Sequence, residues 1–301
     1  MEILMKEFVK MVLMAGVFFL GASTPQDGRA SELVTVKGSD TMVIVAQRWA
    51  EEYMKKHPDA TIQVTGGGSG TGIAALINGT TDLAIASRPI KPEEIKAVRR
   101  LGHEPKEVKV AMDALGIVVH KDNPVERLSL RQLMGIYTGH VSNWKELGGK
   151  DLPIMRYSRE SNSGTYLFFK EHVLKDMDFA SDCQNLPGTA AVADAVSKDP
   201  KGIGYGGVAY FDRPNLKVLK VSKEDNQRAI DPIDRSDLKR MKVNYDVVWS
   251  GEYPLARPLF VYSLRESAGI KRFLEWILGE EGQKIAVELD YIPLNKAVVA
   301  R

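Results

Sequence analysis

The chain has 301 residues, and its 41 Lys and Arg stand against 39 Asp and Glu for a formal net charge of +2. That balance excludes a dedicated nucleic-acid binder, which carries clustered excess base, while 44% hydrophobic and 27% charged residues exclude a disordered chain and a polytopic membrane protein. The length suggests two domains at roughly 100–200 residues each, and the single cysteine, Cys183, allows no intrachain disulfide and no four-cysteine zinc site.

Residues 1–30 do not read as part of the fold. Lys6 and Lys10 precede an apolar run from Met11 to Leu20, followed by small Gly21-Ala22-Ser23 and polar Gln26-Asp27-Gly28-Arg29. These are the three regions of a secretory signal, and the apolar run falls short of the roughly 20 residues a membrane span needs. A cleaved signal is the leading reading, with cleavage after Ser23 or Ala30; an uncleaved anchor and a buried helix are the alternatives. The segment holds no cysteine for a lipid anchor. The expected location is periplasmic.

Val34-Thr35-Val36-Lys37 then predicts a strand ending at Gly38, and Ser39-Asp40-Thr41 offers N-cap residues to a helix with apolar Met42, Val45, Ala46, Trp49 and Tyr53, stopped at His57-Pro58-Asp59. Ile62-Gln63-Val64 predicts a second strand, Gly66 to Gly72 a glycine-rich turn, and Ile73 to Ile77 the start of the next helix. Asp82 to Ala86 predicts a third strand ending at Ser87-Arg88-Pro89, and Pro92-Glu93-Glu94 opens a helix with proline in its first turn. Further on, Asp113 to His120 reads as a long apolar strand, Leu130 to Tyr137 as a helix, Leu152 to Tyr157 as a strand and Ala190 to Val196 as a helix. Gly202 to Gly206 reads as a strand with close backbone approach, Pro254 to Tyr262 as another long strand, and Ile270 to Leu278 as an amphipathic helix that Gly279 stops. Alternating strands and helices predict an α/β fold with a parallel sheet. In such sheets ligands bind beyond the carboxyl ends of the strands.

That rule selects four polar clusters. Gly38-Ser39-Asp40-Thr41, Gly68-Ser69-Gly70-Thr71 and Ala86-Ser87-Arg88 fall where a strand gives way to a helix; Arg159-Glu160-Ser161-Asn162-Ser163-Gly164-Thr165 follows a strand and precedes apolar Tyr166-Leu167-Phe168-Phe169. Helix N-termini with free N–H groups and short hydroxyls make anion sites. One such cluster alone reads as a cap or a tight turn. Four at equivalent positions, two of them with arginine, predict a converged site for a tetrahedral oxyanion, built without a metal or cofactor.

Catalytic readings fail on the residues. Gly66 to Gly72 lacks the lysine of a P-loop, and Gly70-Thr71-Gly72-Ile73-Ala74-Ala75 has dinucleotide spacing without an acidic ribose partner. Ser69 is not in a nucleophile elbow, because Thr71 holds the place of the last glycine. His57, His103, His120, His140 and His172 share no metal-ligand spacing, and Cys183 reads as a partly buried thiol without function.

The motifs resemble a family. Gly38-Ser39-Asp40-Thr41, Gly67 to Gly72, Ile136-Tyr137-Thr138-Gly139 with Asn143-Trp144-Lys145-Glu146-Leu147-Gly148-Gly149, Arg159 with Ser163-Gly164-Thr165, and Gly202-Ile203-Gly204-Tyr205 together resemble the PstS phosphate-binding proteins of ABC transporters, over roughly residues 34–295. The resemblance implies a two-lobed type II periplasmic-binding-protein fold, each lobe a mostly parallel sheet flanked by helices, joined by two crossing strands. Residues 31–115 and 250–301 would form one lobe and 116–249 the other. It also implies a monomer that closes on inorganic phosphate and delivers it to an ABC permease in the inner membrane, with no catalysis.

Carried over by motif, phosphate lies against Asp40 and Thr41, Ser69, the position of Ser87, and Arg159, Ser163, Gly164 and Thr165; neighbouring Ser39, Gly70, Thr71 and Arg88 complete the candidate set. Arg88 stays open between a second cation in the cleft, a bridge between lobes and a solvent-facing side chain. Arg159 is expected to hold two phosphate oxygens in its planar fork, or to brace its loop against an acid. At the position of Ser87 several family members carry an aspartate that accepts the phosphate proton. Asp40 is the best acceptor left, with a plain N-cap as its bland alternative. A binder of another oxyanion (sulfate, molybdate or tungstate) remains an alternative, and a secreted phosphatase or phosphate-scavenging adhesin a more distant one.

Overall fold

Along β1 (Glu32–Gly38), Val34 and Val36 turn inward while Leu33 faces solvent, the period-two pattern of a half-buried strand. The computed structural model describes residues 32–236, 241–294 and 296–298, and the candidate signal segment 1–30 lies outside the described residues. After β1 come α1 (Val43–Lys56), β2 (Ala60–Thr65), α2 (Ser69–Ile77), β3 (Leu83–Ala86), α3 (Pro92–Arg100) and the long β4 (Lys106–His120). There follow β5 (Arg127–Ser129), α4 (Leu130–Tyr137), β6 (Met155–Arg159), α5 (Gly164–His172), β7 (Gln184–Leu186), α6 (Gly188–Lys198), β8 (Gly202–Gly207) and β9 (Leu216–Ser222). The short β10 (Ile233–Asp234), β11 (Lys242–Val243) and α7 (Tyr245–Trp249) lead to β12 (Ala256–Ser263), α8 (Ala268–Leu278) and α9 (Glu280–Glu288).

The main sheet runs β2-β1-β3-β12-β4-β8-β6-β7, with β9 also beside β4 and β5 beside β9. The pairings β1–β2, β1–β3, β5–β9, β6–β7 and β6–β8 are parallel, as the alternation predicts; β12 and β4 run antiparallel to their neighbours. At about 3.4 Å per residue β4 spans about 50 Å, too long for one core. It passes through two. Val110 and Ala111 pack with Val34, Trp49, Leu259 and Phe273, whereas Ala114, Leu115 and Ile117 pack with Tyr137, Trp144, Phe169 and Tyr205. The handover on β4 is mirrored on β12, where Leu259 faces Ala111 and Ala256 faces Ala114.

Four local expectations change. The glycine-rich turn is helical from Ser69, four residues before Ile73, because Gly72 lets α2 lie on β1: a Cβ there would stand 2.4 Å from the Lys37 carbonyl. Tertiary packing overrides the low helix propensity of glycine. Met42, not Ser39, Asp40 or Thr41, is the N-cap of α1, and no side chain caps it, which frees Asp40 for other partners. The long apolar strand begins at Lys106, seven residues earlier than its apolar pattern, since its first residues are exposed. Gly279 ends α8 without a left-handed conformation, at φ −72°, and serves also as the N-cap of α9.

Cys183 lies half-buried beside the second core, and burial pushes its thiol up from 9.0 to about 12. Tyr210 is pushed from 10.0 to about 12, again by burial. The folded chain therefore holds protons that the unfolded chain releases. Their share of stability is full below about pH 9 and is lost as pH rises towards 12. A disulfide reagent at pH 8 should label Cys183 slowly in the native protein and at once in denaturant; equal rates would contradict this burial.

Candidate anion-binding site

Two helix N-termini meet from opposite sides. α2 begins at Ser69 after Gly68, whose φ of +90° suits only glycine, and α5 begins at Gly164 after Ser163, whose hydroxyl accepts the Thr165 and Tyr166 N–H groups at 3.1 and 3.4 Å. A Cβ on Gly164 would stand 2.3 Å from Ser69 Oγ and 2.8 Å from Ser87 Oγ, so glycine is what lets the two ends close together. Ser69 Oγ accepts the Ser87 N–H at 3.1 Å. Beside them Thr41 Oγ1 lies 2.9 Å from Thr165 Oγ1, and all four hydroxyls are buried. The Thr41 and Asp40 carbonyls are held from behind by the Tyr291 and Tyr210 hydroxyls, each donating at 2.5 Å. Ser39 is buried below, its N–H on the Ile85 carbonyl.

Arg159, 1% exposed at the end of β6, donates from Nη2 to Asp40 Oδ2 at 2.7 Å and from Nη1 to Thr189 Oγ1 at 2.8 Å. Its Nε is buried without a partner in the structure. Burial draws its pKa below the usual value, and the Asp40 charge opposes this. Asp40 Oδ1 in turn accepts the Gly67 N–H at 2.8 Å. The carboxylate thus ties the glycine loop to β6, which a helix cap would not do.

Arg88 takes a different place from a free cation. Its Nη1 and Nη2 grip Glu94 Oε2 and Oε1 at 2.8 and 2.7 Å, and Nη1 also donates to the Pro89 carbonyl. The second guanidinium against the hydroxyls is Arg257, which patterning hid inside an apolar strand. Its Nη2 donates to Thr165 Oγ1 at 3.0 Å, its Nη1 to the Ser87 carbonyl at 3.3 Å, and its Nε and Nη2 to Asp113 Oδ2 at 2.9 and 2.8 Å. The sequence signal was available: a charged residue amid buried apolar neighbours must have a partner.

Asn162 also escaped the motif reading. Its carbonyl accepts the Gly70 N–H at 2.9 Å, and its Nδ2 donates to the Gly67 carbonyl at 3.0 Å and to Thr71 Oγ1 at 3.1 Å. Thr71 and Gly70 thereby serve a latch across the site, and glycine at 68 and 70 leaves room for Asn162, whose carbonyl oxygen would be 2.9 and 3.1 Å from a Cβ. With neutral hydrogen bonds worth about 0.5–1.5 kcal/mol each, Asn162→Ala should weaken ligand retention on the order of tenfold, through faster release. Stopped-flow release at an unchanged rate would refute the latch. Among the described residues no group of three or more His, Cys, Asp or Glu could hold a metal ion, and no helix is long and apolar enough to cross a membrane.

Two cores threaded by the same two strands, with helix ends meeting between them, are the build of a solute-binding protein. The PBP superfamily domain matches residues 23–281. The phosphate-binding protein PstS of Pseudomonas aeruginosa is 34% identical over 284 residues, 88% of this chain and 84% of that one, and PstS of Staphylococcus epidermidis is 32% identical over 292 residues, 92% and 86%. Among solved structures, a Clostridium perfringens chain described as a candidate phosphate ABC transporter substrate-binding protein, with phosphate bound, is 31% identical with a TM-score of 0.77, covering 88% of this chain and all of that one. An ABC-type phosphate transport receptor from Vibrio cholerae is 27% identical at a TM-score of 0.67, covering 86% and 99%. The chain belongs to the PstS family of phosphate-binding proteins. Its fold is the type II periplasmic-binding fold that the motifs implied.

Proposed function

We infer that this chain is an exported solute-binding protein that captures inorganic phosphate between its two cores for delivery to an ABC transporter; its work is binding, not catalysis. The observation that carries this reading is the meeting of two helix N-termini over buried hydroxyls and Arg159. Arg159 and Arg257 are balanced by Asp40 and Asp113. The helix ends, at about half a positive charge each, are not balanced by these pairs. A bound anion supplies that charge and removes the repulsion between the ends, so binding and closure favour each other. The same balance keeps selection inside the cleft, with no strongly basic surface needed.

The ligand shell consists of Asp40, Thr41, Ser69, Ser87, Arg159, Ser163, Gly164 and Thr165; of the other candidates Ser39 lies beneath it, Gly70 and Thr71 hold the Asn162 latch, and Arg88 braces the loop after β3. The lobes run 31–115 with 250–301, and 116–249, save that Tyr253 and Leu255 pack in the second core, which supports drawing the second crossing at Ala256 to Leu259 rather than at residue 250. The chain works as a monomer in the periplasm after its signal is removed, and hands phosphate to an inner-membrane permease that recognises the closed form.

Near neutral pH phosphate keeps an O–H and sulfate does not, so an acceptor in a site of donors separates them. Asp40 is that acceptor: each of its oxygens has one donor and keeps a lone pair. Calorimetry should show phosphate binding strongly, with sulfate and molybdate weak. Asp40→Asn should narrow the phosphate-to-sulfate ratio by at least tenfold. Molybdate or sulfate preferred by the wild type would point instead to the other oxyanions, and an unchanged ratio in the variant would remove Asp40 from the role.

A further inference from the structure

Arg257 and Asp113 form a pair buried to 1% exposure each, reaching 144 residues along the chain. Burying two such charges costs several kcal/mol per ion, and apolar replacements of similar volume often do as well for stability. The pair is also not arranged for stability alone. Both contacts fall on Asp113 Oδ2, leaving Oδ1 buried without a partner. A costly pair set directly behind the hydroxyls calls for another role.

We propose that Arg257, locked by Asp113, is a positioning residue that makes the hydrogen-bonded Thr41–Thr165 hydroxyl pair donate its one free hydrogen towards the bound anion, a role that rests on the phosphate reading above. A guanidinium donates and never accepts. One Nη2 hydrogen goes to Asp113; the other points at Thr165 Oγ1, 3.0 Å away, with Thr41 Oγ1 at 3.5 Å. The two threonine oxygens, 2.9 Å apart, share one hydrogen between them. The other hydroxyl hydrogen cannot be received by Arg257 and is directed out of the pair. Without the arginine, the free hydrogen could turn inward to a water in the vacated space, and the pair would lose that preference. Arg257 cannot slide away, because Asp113 holds it at two nitrogens and its guanidinium rests 5.3 Å over the Phe168 ring.

The test is a double-mutant cycle on phosphate affinity and on melting temperature, using Arg257→Met, Thr165→Val and both together, beside the neutral pair Arg257→Gln with Asp113→Asn. Arg257→Met should weaken phosphate binding on the order of 10- to 100-fold in the wild-type background, the range for a charged hydrogen bond, and by less than about threefold in the Thr165→Val background. The neutral pair should recover the melting temperature and not the affinity, and it replaces Arg257→Met in the cycle if that variant does not fold. Losses that multiply, or affinity that returns with the melting temperature, overturn the positioning role and leave the phosphate reading standing. A wild-type protein that takes up no phosphate overturns the functional reading, and this proposal with it.

Discussion

Arg159→Met should lower phosphate affinity on the order of 100- to 10,000-fold. The methionine fills the buried stem but offers the anion no donors, and two charge-assisted hydrogen bonds are worth about 1.5–3 kcal/mol each. Removing the guanidinium also leaves Asp40 without its 2.7 Å partner, so an uncompensated carboxylate faces the anion. Arg159→Lys should recover only part of the loss, because an ammonium restores charge without the fork that now spans Asp40 and Thr189. Equilibrium dialysis with labelled phosphate measures all three proteins. A methionine variant within threefold of wild type would remove Arg159 from the site.

The second large effect is expected at Gly164, where no charge changes. A methyl group there would overlap Ser69 Oγ and crowd Ser87 Oγ, both fully buried. Overpacking a closed interface costs about 1–3 kcal/mol. If the lobes close on phosphate as proposed above, the strain arises where the helix ends meet and opposes closure rather than folding. Gly164→Ala should bind phosphate on the order of 10- to 100-fold more weakly, with the melting temperature of the ligand-free protein unchanged. A fall in that melting temperature with normal affinity would show that the contact belongs to the fold and not to ligand capture.

Local chemistry made much of this legible. Ser69, Ser87, Gly164 and Thr165 stand where a strand turns into a helix, the place that the topological rule reserves for a ligand, and they need no long-range contact to be picked out. What escaped depends on distance along the chain. Arg257 finds Asp113 across 144 residues and Asn162 finds Gly67 across 95, and neither pairing leaves a periodic trace. Arg88 stood beside a serine as Arg159 does, yet Glu94 six residues later takes both its terminal nitrogens. Composition around an arginine cannot show whether the nearest acid or the ligand claims it. The start of α2 was obscured for the opposite reason: glycines that mark a turn by propensity are present because a helix lies against β1 and Asn162.

The most direct measurement is a crystal structure of the protein grown with phosphate. One phosphate should lie between the two cores, within hydrogen-bond distance of Ser69, Arg159 and the N-terminus of α5 at Gly164 and Thr165, with Arg257 touching Thr165 and not the anion. Phosphate bound elsewhere, or held without Arg159 and the α5 N-terminus, would contradict that placement.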